Sequence, residues 1–177
     1  MKTVLIAFDQ YLASEGLSFE AVIIGGAALI LMEVVDRQTK DVDCLDPVID
    51  ARIKQASIEF AKKNPKLRLQ ENWLNNGPAS LKRELPSDWS TRLQEIYRGK
   101  ALTLTTLGRI DLLRSKLYAY CDRQTDLDDC VALEPTLEEL LECYPWVKER
   151  DASPLWPDHV LESFEILAGR RAYDFIP

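Results

Sequence analysis

The sequence predicts an α/β (α+β) fold, a small mixed sheet flanked by helices, with a helical C-terminal half. Two observations carry this. Up to residue 107, apolar or β-branched runs at residues 21–24, 41–45, 66–70 and 100–107 alternate with amphipathic stretches, the order of a mixed layered domain. Beyond residue 107 every patterned stretch repeats at helical spacing. The expected organisation is a core over 1–107 and a helical part over 108–177 packed on it as a single compact unit. With 177 residues, 46% hydrophobic and 29% charged, the chain buries roughly 70% of its unfolded surface and needs no disulfide or metal to fold.

Each element has its own signal. Lys2–Ser14 is a helix with Val4, Leu5, Phe8, Tyr11 and Leu12 at helical spacing, ended by Gly16. Residues 21–24 form a short buried strand, 27–35 a mostly apolar helix, and 41–45 a second strand stopped by Asp46 and Pro47. Ala51–Lys63 reads as helix. Residues 66–70 read as a third strand, because Leu67 and Leu69 alternate with charged neighbours. Residues 72–93 are a turn-rich connection with room for a short helix, and 100–107 are a strand of β-branched residues and leucines. Helices follow at 109–122, 126–133 and Leu137–Lys148, the last opened by Thr136 with Glu139 three residues on, a capping-box pattern. A final helix starts at Pro157 and ends near Gly169.

Composition excludes several function classes. The net charge of −7 argues against a broad nucleic-acid surface, though not against a local basic patch. A single histidine, His159, rules out a multi-histidine metal site or a His-based triad built by this chain alone; it reads as a surface or cap residue. Cys44, Cys121, Cys130 and Cys143 include no C-x-x-C pair, which favours reduced, buried thiols. The opening apolar run is too short for a signal peptide, and no stretch approaches a membrane span, so a cytoplasmic protein is expected. The four tryptophans are not interleaved with basic residues, and packing is their expected role.

Chemistry concentrates in "VIIGGAALILMEVVDRQTKDVDCL", residues 22–45. Side chains at i and i+2 of a strand share a face, so Asp41 and Asp43 point together. Two carboxylates about 4 Å apart repel by roughly 4 kcal/mol at an effective dielectric near 20. A solvated face or a bound cation relieves that repulsion, and Mg²⁺ binds through one or two carboxylates plus substrate phosphates. Gly25 and Gly26 lie where strand turns to helix, where missing β-carbons let backbone amides approach a phosphate. The plainer alternative is an exposed edge strand after a structural glycine turn. A second cluster lies in the helix 109–122, where Lys116 projects among Leu112, Leu113, Leu117 and Tyr120. A lysine there either has a charged partner or snorkels to water. Asp126, Asp128 and Asp129 follow, where first-turn acids also complement a helix dipole.

The stretch "GGAAL…RQTKDVDCL" resembles the signature of the nucleotidyltransferase superfamily with its DNA polymerase beta-type core. The nearest likeness is to the minimal AbiEii and MenT type, largely prokaryotic proteins of which many are toxins of toxin–antitoxin pairs. Arg37, Thr39, Asp41 and Asp43 match its R-x-T-x-D-h-D pattern, and the likeness runs over residues 20–135 through "WLNN", "LPSDW" and "IDLLRSKLYAYCDRQTDLDDCVAL". It implies Mg²⁺ or Mn²⁺ on Asp41 and Asp43, and an NTP held by Gly25, Gly26, Arg37, Thr39 and Lys116. It also implies an acid/base or orienting role for Asp126 within R-x-x-D-l-x-D, matched by Arg123, Asp126 and Asp129. The implied reaction moves an NMP to an RNA (tRNA among them), protein or small-molecule acceptor, with a cognate antitoxin as possible partner and no membrane. Two departures stand out. Such enzymes place a third carboxylate on a neighbouring strand; Glu71 is best placed by order, while position 76 is Asn76. Position 26 is glycine where many relatives carry serine. The alternative function is therefore a catalytically inactive binding or regulatory module of the same fold.

Overall fold

The computed structural model describes residues 1–177, which divide into two compact units, Met1–Gly108 and Arg109–Pro177. The first unit is mixed α+β. In chain order it runs α1 (Lys2–Ser14), β1 (Phe19–Ile24), α2 (Gly25–Leu31), β2 (Val42–Asp46), α3 (Ala51–Lys63), β3 (Leu74–Asn75), β4 (Gln94–Arg98) and β5 (Leu102–Thr106). Short 3₁₀ turns cover Pro65–Leu67, Gly77–Arg83 and Trp89–Arg92. The sheet order is β3-β2-β1-β5-β4. β1 lies antiparallel to β2 and parallel to β5; β2–β3 is parallel and β4–β5 antiparallel. The buried strand β1 is therefore central, which its nearly unbroken apolar sequence FEAVII requires.

Leu5, Phe8 and Leu12 of α1 and Phe60 of α3 pack with Trp73 into the core of this unit. Phe8 sits 5.2 Å from Phe60 and 5.1 Å from Trp73 between ring centroids, inside the range of favourable aromatic pairs. Trp73 is buried with its indole N–H donating to the Ser57 carbonyl at 3.1 Å, so this tryptophan is packing.

Residues 66–70 are not a strand. Pro65 has a fixed φ and no amide donor, and it opens a 3₁₀ turn whose cap, Arg68, is left-handed at φ 52°. Leu67 and Leu69 alternate because a loop lays them against the core, not because they pair in a sheet. The strand that does flank β2 is the two-residue β3, and the outer strand β4 has a sequence, QEIYR, without apolar alternation. Helix α2 begins at Gly25 and stops at Leu31, earlier than its apolar run suggests, because Glu33 turns the chain at φ 61°.

Asp9 on α1 is 6% exposed yet ionisable. It accepts the backbone N–H groups of Ala101 at 2.7 Å, Leu102 at 2.8 Å and Lys100 at 3.1 Å, pinning the β4–β5 turn to α1. A β-carbon on Gly99 would collide with the Asp9 carboxylate, so the turn needs glycine there.

The second unit is all helical: α4 (Arg109–Arg123), α5 (Leu127–Ala132), α6 (Leu137–Lys148) and α7 (Trp156–Arg170). The Thr136–Glu139 capping box forms as the sequence predicts, and Glu139 also takes the Arg109 guanidinium at 2.8 and 2.9 Å. Leu112, Leu113 and Leu117 of α4, Leu140 and Val147 of α6 and Phe164 of α7 are buried. His159 is half-buried, bonded at 2.8 Å to the Cys121 carbonyl. All four cysteines are free and buried. No helix is long and apolar enough to cross a membrane.

Candidate active site

The motif of residues 22–45 closes on itself within the first unit. β1 feeds directly into α2 through Gly25, which has φ +74°, a conformation that L side chains rarely adopt. The return segment brings β2 alongside β1, with Ile24 the register partner of Asp43. A β-carbon on Gly25 would lie 2.7 Å from Asp43 Oδ2, and one on Gly26 would lie 3.0 and 3.4 Å from the Arg37 guanidinium nitrogens and 3.3 Å from Thr39 Oγ1. Thr39 Oγ1 in turn donates to Asp41 Oδ1 at 3.0 Å. Gly25, Gly26, Arg37, Thr39, Asp41 and Asp43 are thus one cluster. The room left by the absent β-carbons is taken by the motif's own side chains, so the glycines let these groups reach the backbone.

The two aspartates differ. Asp43 lies inside β2 and is half-buried, between Val42 and Cys44, both wholly buried on the opposite face. Asp41 precedes the strand and is exposed. Beside them β3 places Asn75 opposite Asp43, with its Nδ2 donating to Asp43 Oδ1 at 3.2 Å. Glu71 is exposed and pairs with Lys62 at 3.4 Å, away from this register. Asn76 is bound into the loop after β2: its Nδ2 donates to the carbonyls of Cys44 and Pro47, and its Oδ1 accepts from Ile49 N–H. No three His, Cys, Asp or Glu side chains gather into a group able to hold a metal ion. Asp41 and Asp43 both offer carboxylate oxygens, the donor type that a hard cation takes.

The second cluster forms within the second unit. Lys116 is 4% exposed, and its ammonium binds Asp129 Oδ2 at 2.6 Å and Asp126 Oδ1 at 3.0 Å. Arg123 donates to the other oxygen of Asp126 at 2.8 Å. The lysine on the apolar face is therefore paired and does not snorkel to water. Burial works against ionised Asp126, but Lys116 and Arg123 outweigh it and hold its carboxyl below the ordinary range. Asp128 is exposed, and no hydrogen bond or ion pair ties it to Lys116.

The residue that sequence reasoning missed is Asn75, visible only as the second letter of a two-residue strand. Its signal lies in the pairing of β3 with β2, which needs the fold. Comparison with curated proteins gave no match, and comparison with solved structures gave none. A family model described as "Nucleotidyltransferase of unknown function (DUF6036)" matches residues 3–141, which covers the glycine pair, both aspartates and the Lys116–Asp126–Asp129 cluster. The chain belongs to that nucleotidyltransferase family.

Proposed function

We propose that the protein is an active, metal-dependent nucleotidyltransferase of the minimal AbiEii/MenT kind, moving an NMP from an NTP to a macromolecular acceptor. The observation that carries this is the convergence of Gly25, Gly26, Arg37, Thr39, Asp41 and Asp43 into one cluster. Asp41 and Asp43 supply the carboxylates for Mg²⁺ or Mn²⁺. Held there, a divalent cation would supply positive charge against the negative charge that develops on the phosphate. Thr39 fixes the rotamer of the exposed Asp41 through its hydrogen bond. Arg37, its guanidinium lying over Gly26, is suited to phosphate oxygens, for which its planar fork of donors is matched. In-line attack on the α-phosphate asks for positioning and charge neutralisation more than covalent chemistry, and this donor set provides both.

The resemblance gives Asp126 either an acid/base or an orienting role, while the buried Lys116 ammonium is engaged by Asp126 and Asp129. Orientation is favoured for Asp126. Both of its oxygens are engaged, and a carboxyl held below its ordinary pKa is a poor base near neutrality. The acceptor is an RNA or a protein, and the cellular role is that of a toxin restrained by a cognate antitoxin. The acidic net charge favours a small footprint on any RNA. Four unpaired thiols fit a reducing, cytoplasmic setting.

Asn75 opposite Asp43, where a carboxylate would strengthen the cation site, favours a second reading: an inactive nucleotidyltransferase-fold module. One assay separates the two. Purified protein is given each α-labelled NTP, Mg²⁺ or Mn²⁺, and either total tRNA or cell extract, with Asp43→Ala as control. Label passing to RNA or protein with the wild type and not the variant supports the transferase. No transfer, with no metal-dependent NTP binding, supports the module.

A further inference from the structure

Asn75 is held from both sides. Its Oδ1 accepts the Gly77 backbone N–H at 2.6 Å, which fixes the sense of the carboxamide, because only the oxygen can accept there. The NH₂ end must then face Asp43, to whose Oδ1 it donates at 3.2 Å. A β-carbon at residue 77 would lie 2.8 Å from Asn75 Oδ1, so Gly77 makes room for this arrangement. The other oxygen of Asp43 lies against Gly25. The Asp43 carboxylate is thereby held at Oδ1 through the chain Gly77–Asn75–Asp43, while Oδ2 packs beside Gly25. Asn75 adds no negative charge, and its own oxygen is engaged.

We propose that Asn75 is the positioning residue of Asp43, and that the two-carboxylate site holds a divalent cation firmly only together with a nucleoside triphosphate. This rests on the nucleotidyl-transfer reading above. The physical reason is ligand count. Two carboxylates leave most of the coordination sphere of a hard cation to other oxygens, and a triphosphate supplies them with added negative charge. Position 75 is in register with Asp43, so an anionic side chain there would face the same cation.

The test is Mn²⁺ binding to the full chain followed by water-proton relaxation enhancement, which distinguishes protein-bound Mn²⁺ from Mn²⁺ on free nucleotide. Titrations are made with and without a mixture of the four α,β-methylene nucleoside triphosphates. Wild type is expected to bind Mn²⁺ about tenfold or more tightly with nucleotide present. Asn75→Asp, which keeps an oxygen for Gly77 N–H, is expected to tighten nucleotide-free binding about tenfold. Asn75→Ala is expected to weaken the nucleotide-dependent binding about fivefold, and to change nothing further in an Asp43→Ala background. Thermal melts establish that each variant folds. Equal Mn²⁺ affinity with and without nucleotide overturns the inference. So does an unaltered nucleotide-free affinity in Asn75→Asp, or independent effects of Asn75→Ala and Asp43→Ala; each of these leaves the transferase reading standing. Absence of any protein-bound Mn²⁺, with nucleotide or without, overturns both.

Discussion

Gly25 and Asp43 are fitted to one another: the glycine has φ +74°, and the carboxylate occupies the space where its β-carbon would be, 2.7 Å from Oδ2. Gly25→Ala meets two obstacles, a left-handed backbone costing roughly 1–2 kcal/mol and a collision with Asp43. Gly26→Ala meets only the far ends of Arg37 and Thr39, which can shift. Chemical denaturation is expected to show a loss of about 2 kcal/mol or more for Gly25→Ala and less than half of that for Gly26→Ala. Equal losses would mean that the φ and the contact with Asp43 are unimportant.

Asp9 sets an acid limit on the first unit. Burial alone would raise its pKa, yet the N–H groups of Ala101, Lys100 and Leu102 outweigh burial and lower it beneath the ordinary 3.8. A lowered folded-state pKa means that the unfolded chain takes up the proton first. The stability from Asp9 is therefore complete above about pH 4 and lost as pH falls through the lowered value. Asp9→Asn keeps the shape but offers one acceptor oxygen, and is expected to cost about 2 kcal/mol at pH 7. Urea titrations at pH 7 and pH 3 check both points: the gap between wild type and variant should narrow at pH 3. A gap that stays constant between the two would disprove the ionic role.

Lys116 is the counterpart in the second unit. Removing its ammonium takes a buried cation from Asp129 and leaves Asp126 with Arg123 as its cationic partner and the Thr125 hydroxyl. Lys116→Met, close in volume, is expected to destabilise the helical unit by about 3–5 kcal/mol, the usual cost of breaking a buried charge pair. Guanidinium unfolding followed by helical circular dichroism reads this. A loss under about 1 kcal/mol would place the cluster among exposed ion pairs.

Much of this molecule was legible in its sequence wherever apolar periodicity ran long. Helices α1, α3 and α6 follow from one-sided stripes and, for α6, from the Thr136–Glu139 box. The six-residue cluster was legible because its parts lie within one β–α–β excursion, close in sequence as well as in space. Three features were hidden. β3 is two residues long and carries no period, so Asn75 had no visible neighbour. β4 is an edge strand with mostly charged and polar residues, which do not alternate. Leu67 and Leu69 alternate by lying on the core from a loop that Pro65 keeps out of the sheet. Asp9 is a different case. It stands on the buried face of α1, between Leu5 and Leu12, and the reasoning that singled out Lys116 applies to it unchanged. An ionisable group on an apolar stripe points to a partner, and here the partner is a turn more than ninety residues away.

Thr39 isolates chemistry from stability. Its hydroxyl donates to Asp41 at 3.0 Å, and Asp41 is exposed, so nothing in the core depends on the bond. Thr39→Val keeps the branched shape and removes the donor. The melting temperature is expected to stay within what ±0.5 kcal/mol produces. If Asp41 holds the cation that accompanies the NTP, loosening it weakens that interaction by about 1 kcal/mol, a fall of roughly fivefold in NTP-dependent Mn²⁺ affinity and in transfer. Thr39→Ser restores the hydroxyl and should restore both readouts. A Thr39→Val protein that melts normally and binds Mn²⁺ with nucleotide as wild type does would remove Asp41 from the cation site and leave Asp43 as its only carboxylate.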